Sequence, residues 1–460
     1  MRRLISWLIV VAVGFILMAF SYFNYQYQPG SNPWKDAFMY IGKADPNSEA
    51  EGLEYVKRPI RLLPISRRAQ KFTSLARGFG SYVEKSYRVQ FQEKLIFYPD
   101  IAADFKDQML KWGRLPNPDS NEVVAGFYAS NKDKIAIDGR MFKVVGQLKK
   151  EVRLFMNSYL ICGGAAASGL FDRNNEAVQN AYILQLPREQ LVDSQVREQL
   201  KKAFPNSQFA TYAPQIRTEK VPFYLYILGM ALLFLGGSVV LFKVYCILAD
   251  RIDNKWLRLP LDEIHKFRRL FLGLHLVYFG VVVLFMLLAH TLPELQVCLL
   301  GGIGAQVSGG SGPLGVAGKA YMSKSIPLAA VATLLINFFL GSLAYITVPS
   351  IIIPGVGILA AVFRASMWGL LLAPNFDVLA RTMLPHSFTI LLEGEGYVLA
   401  SFFGLLILVY LFRKAEGPSL AGRYGRALLM NVRGNLLVAM VLAIAAIYEA
   451  IEVILIAMKD

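Results

Sequence analysis

Charge, cysteine and histidine are all scarce in this chain. Charged residues make up 18% of 460, against about 25% in soluble domains. That shortage excludes an ordinary cytosolic enzyme and a solvated disordered tail. Cys162, Cys246 and Cys298 lie far apart, which makes neither a disulfide framework nor a zinc site; they read as small buried apolar residues. The four histidines, His265, His275, His290 and His386, show no H-E-x-x-H or paired spacing, so no metal site is expected. No Ser-His-Asp set, nucleophile elbow or nucleotide-binding motif is present. The sequence therefore predicts no catalytic residue and no cofactor. The glycine-rich run from 301 to 318 is not a Walker A loop, which needs G-x-x-x-x-G-K-[ST]. Here Gly318-Lys319 is followed by Ala320, and Pro313 stands where the first glycine belongs. Residues 291–325 read instead as a flexible or re-entrant segment, part of an interface.

Apolar runs are what the chain has in excess, at 55% hydrophobic residues. A bilayer-spanning helix needs about 20 of them in a row. Seven candidates satisfy this: 4–22, 222–248, 270–289, 326–347, 351–372, 388–412 and 436–458. The first follows Arg2 and Arg3 and precedes Tyr22, Phe23, Tyr25 and Tyr27 without a small-residue cleavage site. It reads as an uncleaved anchor rather than a signal peptide. The expected fold is a multi-pass α-helical membrane protein of about seven spans with an inserted α+β extracytoplasmic domain. Its parts are an anchor (1–25), the domain (26–221), a second span (222–248), a basic amphipathic loop (249–269) and a five-helix membrane domain (270–460). Basic residues cluster at Arg2–Arg3, in 250–269 and in 413–433. Lys and Arg mark the cytoplasmic side, so the N-terminus is expected inside and 26–221 outside. The Ile-Pro-Gly stretch after Ser350 reads equally as a re-entrant break, which would flip the C-terminus.

Within 26–221, strand patterns at 123–128, 134–137, 141–146, 182–186 and 208–212 alternate with a predicted helix at 188–204. Asp138-Gly139 is a hairpin turn signal. This segment holds 29 Lys and Arg against 21 Asp and Glu, a net +8 of the chain's +15. Over half the positive excess is thus expected outside, away from cytosolic nucleic acid. It points to anionic lipid or an acidic envelope partner.

Ile135, Ile137, Gly139, Phe142, Val144, Val145 and Gly146 lie in the run "IAIDGRMFKVVGQLKK". This run resembles the periplasmic core domain of MacB/FtsX-type ABC permeases, as does "AYILQLPREQLVDSQVREQLKKAFPNSQF". The resemblance covers about residues 115–250 and implies a permease-like subunit working with a separate cytoplasmic ATPase. That family continues with two more spans, whereas this chain continues with five of another kind.

Residues 326–457 resemble the stage II sporulation protein M family of membrane proteins. Leu384, Pro385 and His386, then Glu393, Ala400, Gly404, Glu449 and Ala450, carry the likeness. Ser387 departs from the family's glycine after the histidine.

Ionisable groups at helix centres are costly in lipid, at about 2.5–3.5 kcal/mol on insertion scales, and so face partners or cavities. Asn337, Arg364, His386, Glu393, Glu395, Glu449 and Glu452 are the candidates. One arginine facing several carboxylates predicts a buried, charge-paired cluster. It reads either as ion-paired packing or as a proton- or ligand-responsive site. Gly394, Gly396 and Gly404 offer small surfaces for close helix contact. In 250–269, Leu261, Ile264, Phe267 and Leu270 recur at spacing three beside Trp256, Arg258, Arg268 and Arg269, an amphipathic stripe. It is expected to lie on anionic lipid or to dock on a cytoplasmic ATPase. The function expected is a bacterial inner-membrane subunit of an ABC-type transporter or mechanotransmission complex, part of a hetero- or homo-oligomer. A scaffold in an envelope complex and a proton-coupled transporter are the alternatives.

Overall fold

The computed structural model describes residues 2–23, 37–41, 56–65, 93–129, 133–149, 152–172, 175–185, 199, 202–203, 208–212, 220–308, 312–375, 377–413 and 419–457. The chain divides into a helical unit, Met1–Gln26 with Ile216–Asp460, and a second unit, Tyr27–Gln215.

In the helical unit, α1 (Arg2–Phe23) precedes α2 (Lys220–Ala249), α3 (Lys255–Lys266), α4 (Arg268–Thr291), α5 (Pro293–Ser308) and α6 (Gly312–Met322). Then α7 (Ile326–Leu335) runs into a π-helix (Ile336–Thr347) and α8 (Val348–Ile352). The unit closes with α9 (Gly357–Leu372), α10 (Asp377–Phe412) and α11 (Leu420–Glu452), the last extended by a π-turn (Val453–Ala457). Six of these helical stretches are long and apolar enough to cross a membrane: Leu4–Phe23, Val221–Ala249, Arg268–Thr291, Ile326–Ile352, Leu379–Phe412 and Leu420–Ile456. Their length and composition make this a membrane-embedded protein.

The segment expected as a span at 351–372 is the shorter helix α9, of 16 residues. That is about 24 Å at 1.5 Å per residue, less than the roughly 30 Å of a hydrocarbon core. The helix breaks at 353–356, where Pro354 precedes Gly355 at φ +88°, within the Ile-Pro-Gly stretch read as the alternative break rather than at Pro349. Pro349 lies inside the continuous helix, just past the π-helix. Wider turns of this kind relieve the ring's clash with the preceding turn. The helices expected at 388–412 and 436–458 begin earlier than their apolar cores. Residues 377–387 and 420–435 are helical too, so Arg423, Arg426 and Arg433 sit on α11 rather than in a loop. The glycine-rich segment is helical rather than flexible, the latter being one of the two readings its sequence offered. It forms α5 and α6, two helices, with only 309–311 between them outside the described residues.

The pairing of α1 with α2 is a small-residue contact. A Cβ on Gly14 would lie 2.6 Å from the Gly229 carbonyl oxygen, and one on Gly229 would lie 2.6 Å from that of Gly14. Only glycine at both positions lets the backbones approach this closely. Ser21 Oγ then donates to the Pro222 carbonyl.

Among its described residues the second unit has a ten-stranded mixed sheet in the order β10-β1-β9-β2-β3-β8-β5-β7-β4, with β6 paired to β7. The strands are β1 (Ala37–Ile41), β2 (Val56–Pro64), β3 (Lys94–Phe97), β4 (Leu110–Gly113), β5 (Glu122–Ala125), β6 (Lys134–Ile137), β7 (Arg140–Leu148), β8 (Ser158–Ile161), β9 (Gln179–Gln185) and β10 (Gln208–Tyr212). Pairs β3–β8 and β5–β7 are parallel. Successive side chains point to opposite faces of a strand, and both faces bury a core here. Leu62, Ile96, Val124 and Leu160 join one cluster with Phe105 and Phe155. Leu63, Leu95, Val123 and Tyr159 join another with Phe142 and Phe171. Asp138 and Gly139 both have positive φ, 49° and 75°, as a two-residue type I′ hairpin turn requires. The helix expected at 188–204 lies almost wholly outside the described residues.

Candidate functional site

The seven polar residues singled out from the sequence do not form one cluster. They belong to three centres within the helical unit.

The first centre is built around Arg364 on α9. Arg364 Nη2 donates to Asn337 Oδ1 at 2.9 Å, and Asn337 Nδ2 donates to Glu393 Oε1 at 2.6 Å. Asn337 therefore relays between the guanidinium and the carboxylate, which do not touch directly. The guanidinium lies 4.2 Å from the Tyr397 ring centroid and 5.4 Å from that of Trp368, a cation–π cradle. Glu449 on α11 stands beside Glu393 and Tyr321. One arginine thus faces two buried carboxylates. Several polar atoms around it have no partner among the described residues: Arg364 Nε, Glu449 Oε2, Ser342 Oγ and the hydroxyls of Tyr278 and Tyr397.

The π-helix puts Asn337 in place. Its buried residues are Asn337, Gly341, Ser342, Ile346 and Thr347, a spacing of four to five. An α-helix would give three to four, while i→i+5 bonding widens the turn. A Cβ on Gly341 would lie 2.9 Å from Tyr397 Oη and 3.3 Å from Arg364 Nη1, so the absence of a side chain there makes room for both.

The second centre pairs His275 on α4 with Glu395 on α10, Nε2 to Oε2 at 2.5 Å, with both side chains buried. His275 Nδ1 donates to the Phe271 carbonyl at 2.9 Å. That fixes one proton on Nδ1 and leaves Nε2 and the carboxylate to share another, a neutral pair in either arrangement. Tyr245 of α2 stands beside Glu395. Glu395 therefore points away from Arg364, contrary to the single-cluster expectation: two residues along a helix from Glu393, it lies on a different face.

The third centre holds Glu452. Thr389 Oγ1 donates to it at 2.7 Å, and His386 Nδ1 lies 3.1 Å away. Glu449 and Glu452, three residues apart on α11, have different hydrogen-bonding neighbours.

Sequence reasoning passed over His275, although the rule applied to the glutamates covers it. His275 lies well inside the apolar run 270–289. It also passed over a neutral hub. Asn375 Nδ2 donates to Gln296 Oε1 at 2.7 Å and to the Ala289 carbonyl at 3.0 Å, and Gln296 Nε2 donates to the Leu371 and Ala373 carbonyls. Such amides carry no charge to draw notice in an apolar run. The small glycines do pack closely: Cβ atoms on Gly394, Gly396 and Gly404 would meet Phe279, Leu442 and Ser350 at 2.5–2.8 Å.

The amphipathic stripe needs a correction. Leu261 and Ile264 of α3 are buried, at 1% and 0% exposure, with α3 packed on α2 and α11. Leu261 and Ile264 therefore seal against the protein's own helices rather than facing lipid or a partner. Trp256, Arg258, Arg268 and Arg269 are exposed, and Phe267 is half-buried. Asn254 caps α3 by accepting from Trp256 N at 2.9 Å.

Among the described residues no group of three or more His, Cys, Asp or Glu side chains is placed to hold a metal ion. The chain matches no family model, no curated protein and no solved structure.

Proposed function

We propose that this chain is a permease-like membrane subunit of an ABC-type transporter or mechanotransmission complex. In this reading it carries no catalytic machinery of its own and works in a bacterial inner membrane with a separate cytoplasmic ATPase. The observation that supports it most is the build of α2. This 30-residue helix is continuous in sequence with the sheet unit before it and with the capped helix α3 after it. It is packed backbone to backbone on α1, the other connection to the sheet unit. A long unbroken helix carries displacement along its axis without bending, and α3 presents an exposed polar face beside it. ATP-driven movement of a partner docked on Trp256, Arg258 and their neighbours would shift α3, then α1 and α2 as a pair, then the outer sheet unit. This assigns the N-terminus to the cytoplasm and 26–221 to the outside.

Affinity purification of the full chain from native membranes tests this. A co-purifying ATP-binding-cassette ATPase, lost on Trp256→Ala with Arg258→Glu, is the expected result. A stable, stoichiometric complex without any ATPase, unaltered by ATP, contradicts it and indicates an envelope scaffold.

The first polar centre favours a second reading, proton-coupled transport, because one arginine faces two carboxylates there. Loss of uptake or export in Glu393→Gln or Glu449→Gln, with the fold intact, would support that reading over the first.

A further inference from the structure

The richest unassigned chemistry lies where α3, α10 and α11 meet. Arg423, Arg426 and Arg433 recur at three and seven residues on α11 and so share one stripe. No Asp or Glu stands in α11 before Glu449. Arg433 lies over the Trp256 ring at 5.4 Å, and Arg413, at the end of α10, lies over the Phe267 ring at 5.2 Å. Lys266 approaches the same ring at 5.0 Å and that of Tyr410 at 5.8 Å. The Phe267 and Tyr410 rings belong to a packed floor with Tyr424 and Ala427, so Arg413 and Lys266 rest on packed rings rather than trailing in solvent.

Acidic groups nearby are few, and one carboxylate oxygen among them, Glu263 Oε2, is itself buried without a partner. Glu263 pairs with Lys266 at 3.0 Å, and Asp262 lies 3.8 Å from Arg258. Among the described residues Arg413, Arg423, Arg426 and Arg433 have no carboxylate partner. The Nε atoms of Arg423 and Arg433 are buried and unpartnered. A buried guanidinium N–H without an acceptor is destabilising, and two such donors on one basic stripe suit the oxygens of an anion. Arginine forks suit phosphate in particular.

We infer that this stripe binds the phosphate of an anionic phospholipid from the surrounding leaflet. A lipid source is chosen because Phe267, Tyr410 and Tyr424 stand near the ends of the bilayer-length helices α4, α10 and α11, where aromatic residues mark the headgroup level. A bound phosphate would add to the apolar packing that already holds α3 against α11. The site rests on the helices crossing a membrane and is independent of the ATPase.

The test uses the full chain in neutral detergent, titrated with phosphatidylglycerol, phosphatidylcholine or inorganic phosphate and read by native mass spectrometry. Phosphatidylglycerol should bind more tightly than phosphatidylcholine. The triple variant Arg413→Gln, Arg423→Gln, Arg426→Gln should bind it about a hundredfold more weakly, near fivefold per arginine. The matching triple Lys variant should keep the preference, which controls for folding. Equal binding by wild type and the Gln variant, loss of the preference in the Lys variant, or displacement of the lipid by equimolar inorganic phosphate would each overturn the assignment.

Discussion

The two units treat charge in opposite ways. In the sheet unit, ion pairs sit at the rim and tie loops down. Arg114 and Glu122 meet at 2.6 Å with side-chain exposures of 57% and 12%, and Arg58 and Asp104 meet at 3.1 Å with 39% and 13%. In the helical unit, ionisable groups sit inside: His275 and Glu395 at 2% and 0%, with Glu393 and Glu452 also buried. Water solvates a rim pair whether or not it forms, so the pair adds little. Lipid offers no such alternative, so the buried groups depend on partners within the protein. The same residue types are therefore fasteners in one unit and structural obligations in the other.

The largest test of this contrast is Arg364→Met. It leaves Glu393 and Glu449 without their cation and should destabilise by about 3–5 kcal/mol, read as a loss of folded protein in SDS titration of detergent-solubilised chain. Gly229→Leu comes next. It changes no charge but drives a side chain into the Gly14 backbone, and overpacking of this kind costs about 1–3 kcal/mol. A lowered thermal midpoint smaller than that of Arg364→Met is expected. Arg114→Gln should have the smallest effect, confined to the loop that Glu122 holds through Arg114 and the Asn117 N–H. The guanidinium keeps the Glu122 carboxyl at about 2, below the ordinary value near 4.3. Its stabilisation is full above that ordinary value and is lost as pH falls through about 2. Faster hydrogen exchange across 114–122 in Arg114→Gln should therefore converge with wild type over that window.

Several features were legible in the sequence because a single local signal carried them. The apolar runs gave the long helices, Asp138-Gly139 gave its hairpin, and Lys134–Ile137 and Gln208–Tyr212 gave strands with the expected bounds. Helix ends were less legible. The apolar core of α11 begins near Leu436, yet the polar, arginine-bearing turns before it are helical because they pack on α3. Strands β1 to β4 and β8 went unread. Two of them, β3 and β8, form a parallel pair distant in sequence, which no local period announces. The candidate site was legible as a set of residues and not as an arrangement. Spacing along α10 shows that Glu393 and Glu395 face differently, but only the fold shows that Asn337 meets one and His275 the other. The π-helix was hidden because its polar positions, Asn337, Ser342 and Thr347, recur every five residues, a period outside the α-helical template.

The central claim is that the buried groups form separate, internally balanced centres. Double-mutant cycles on SDS-induced unfolding test it directly. Within the first centre, adding Glu393→Gln to Arg364→Met should recover most of the loss, because the stranded carboxylate is removed along with its cation. Across centres, Glu395→Gln and Arg364→Met should add. Additive losses within the first centre, or strong coupling between Glu395 and Arg364, would contradict the account.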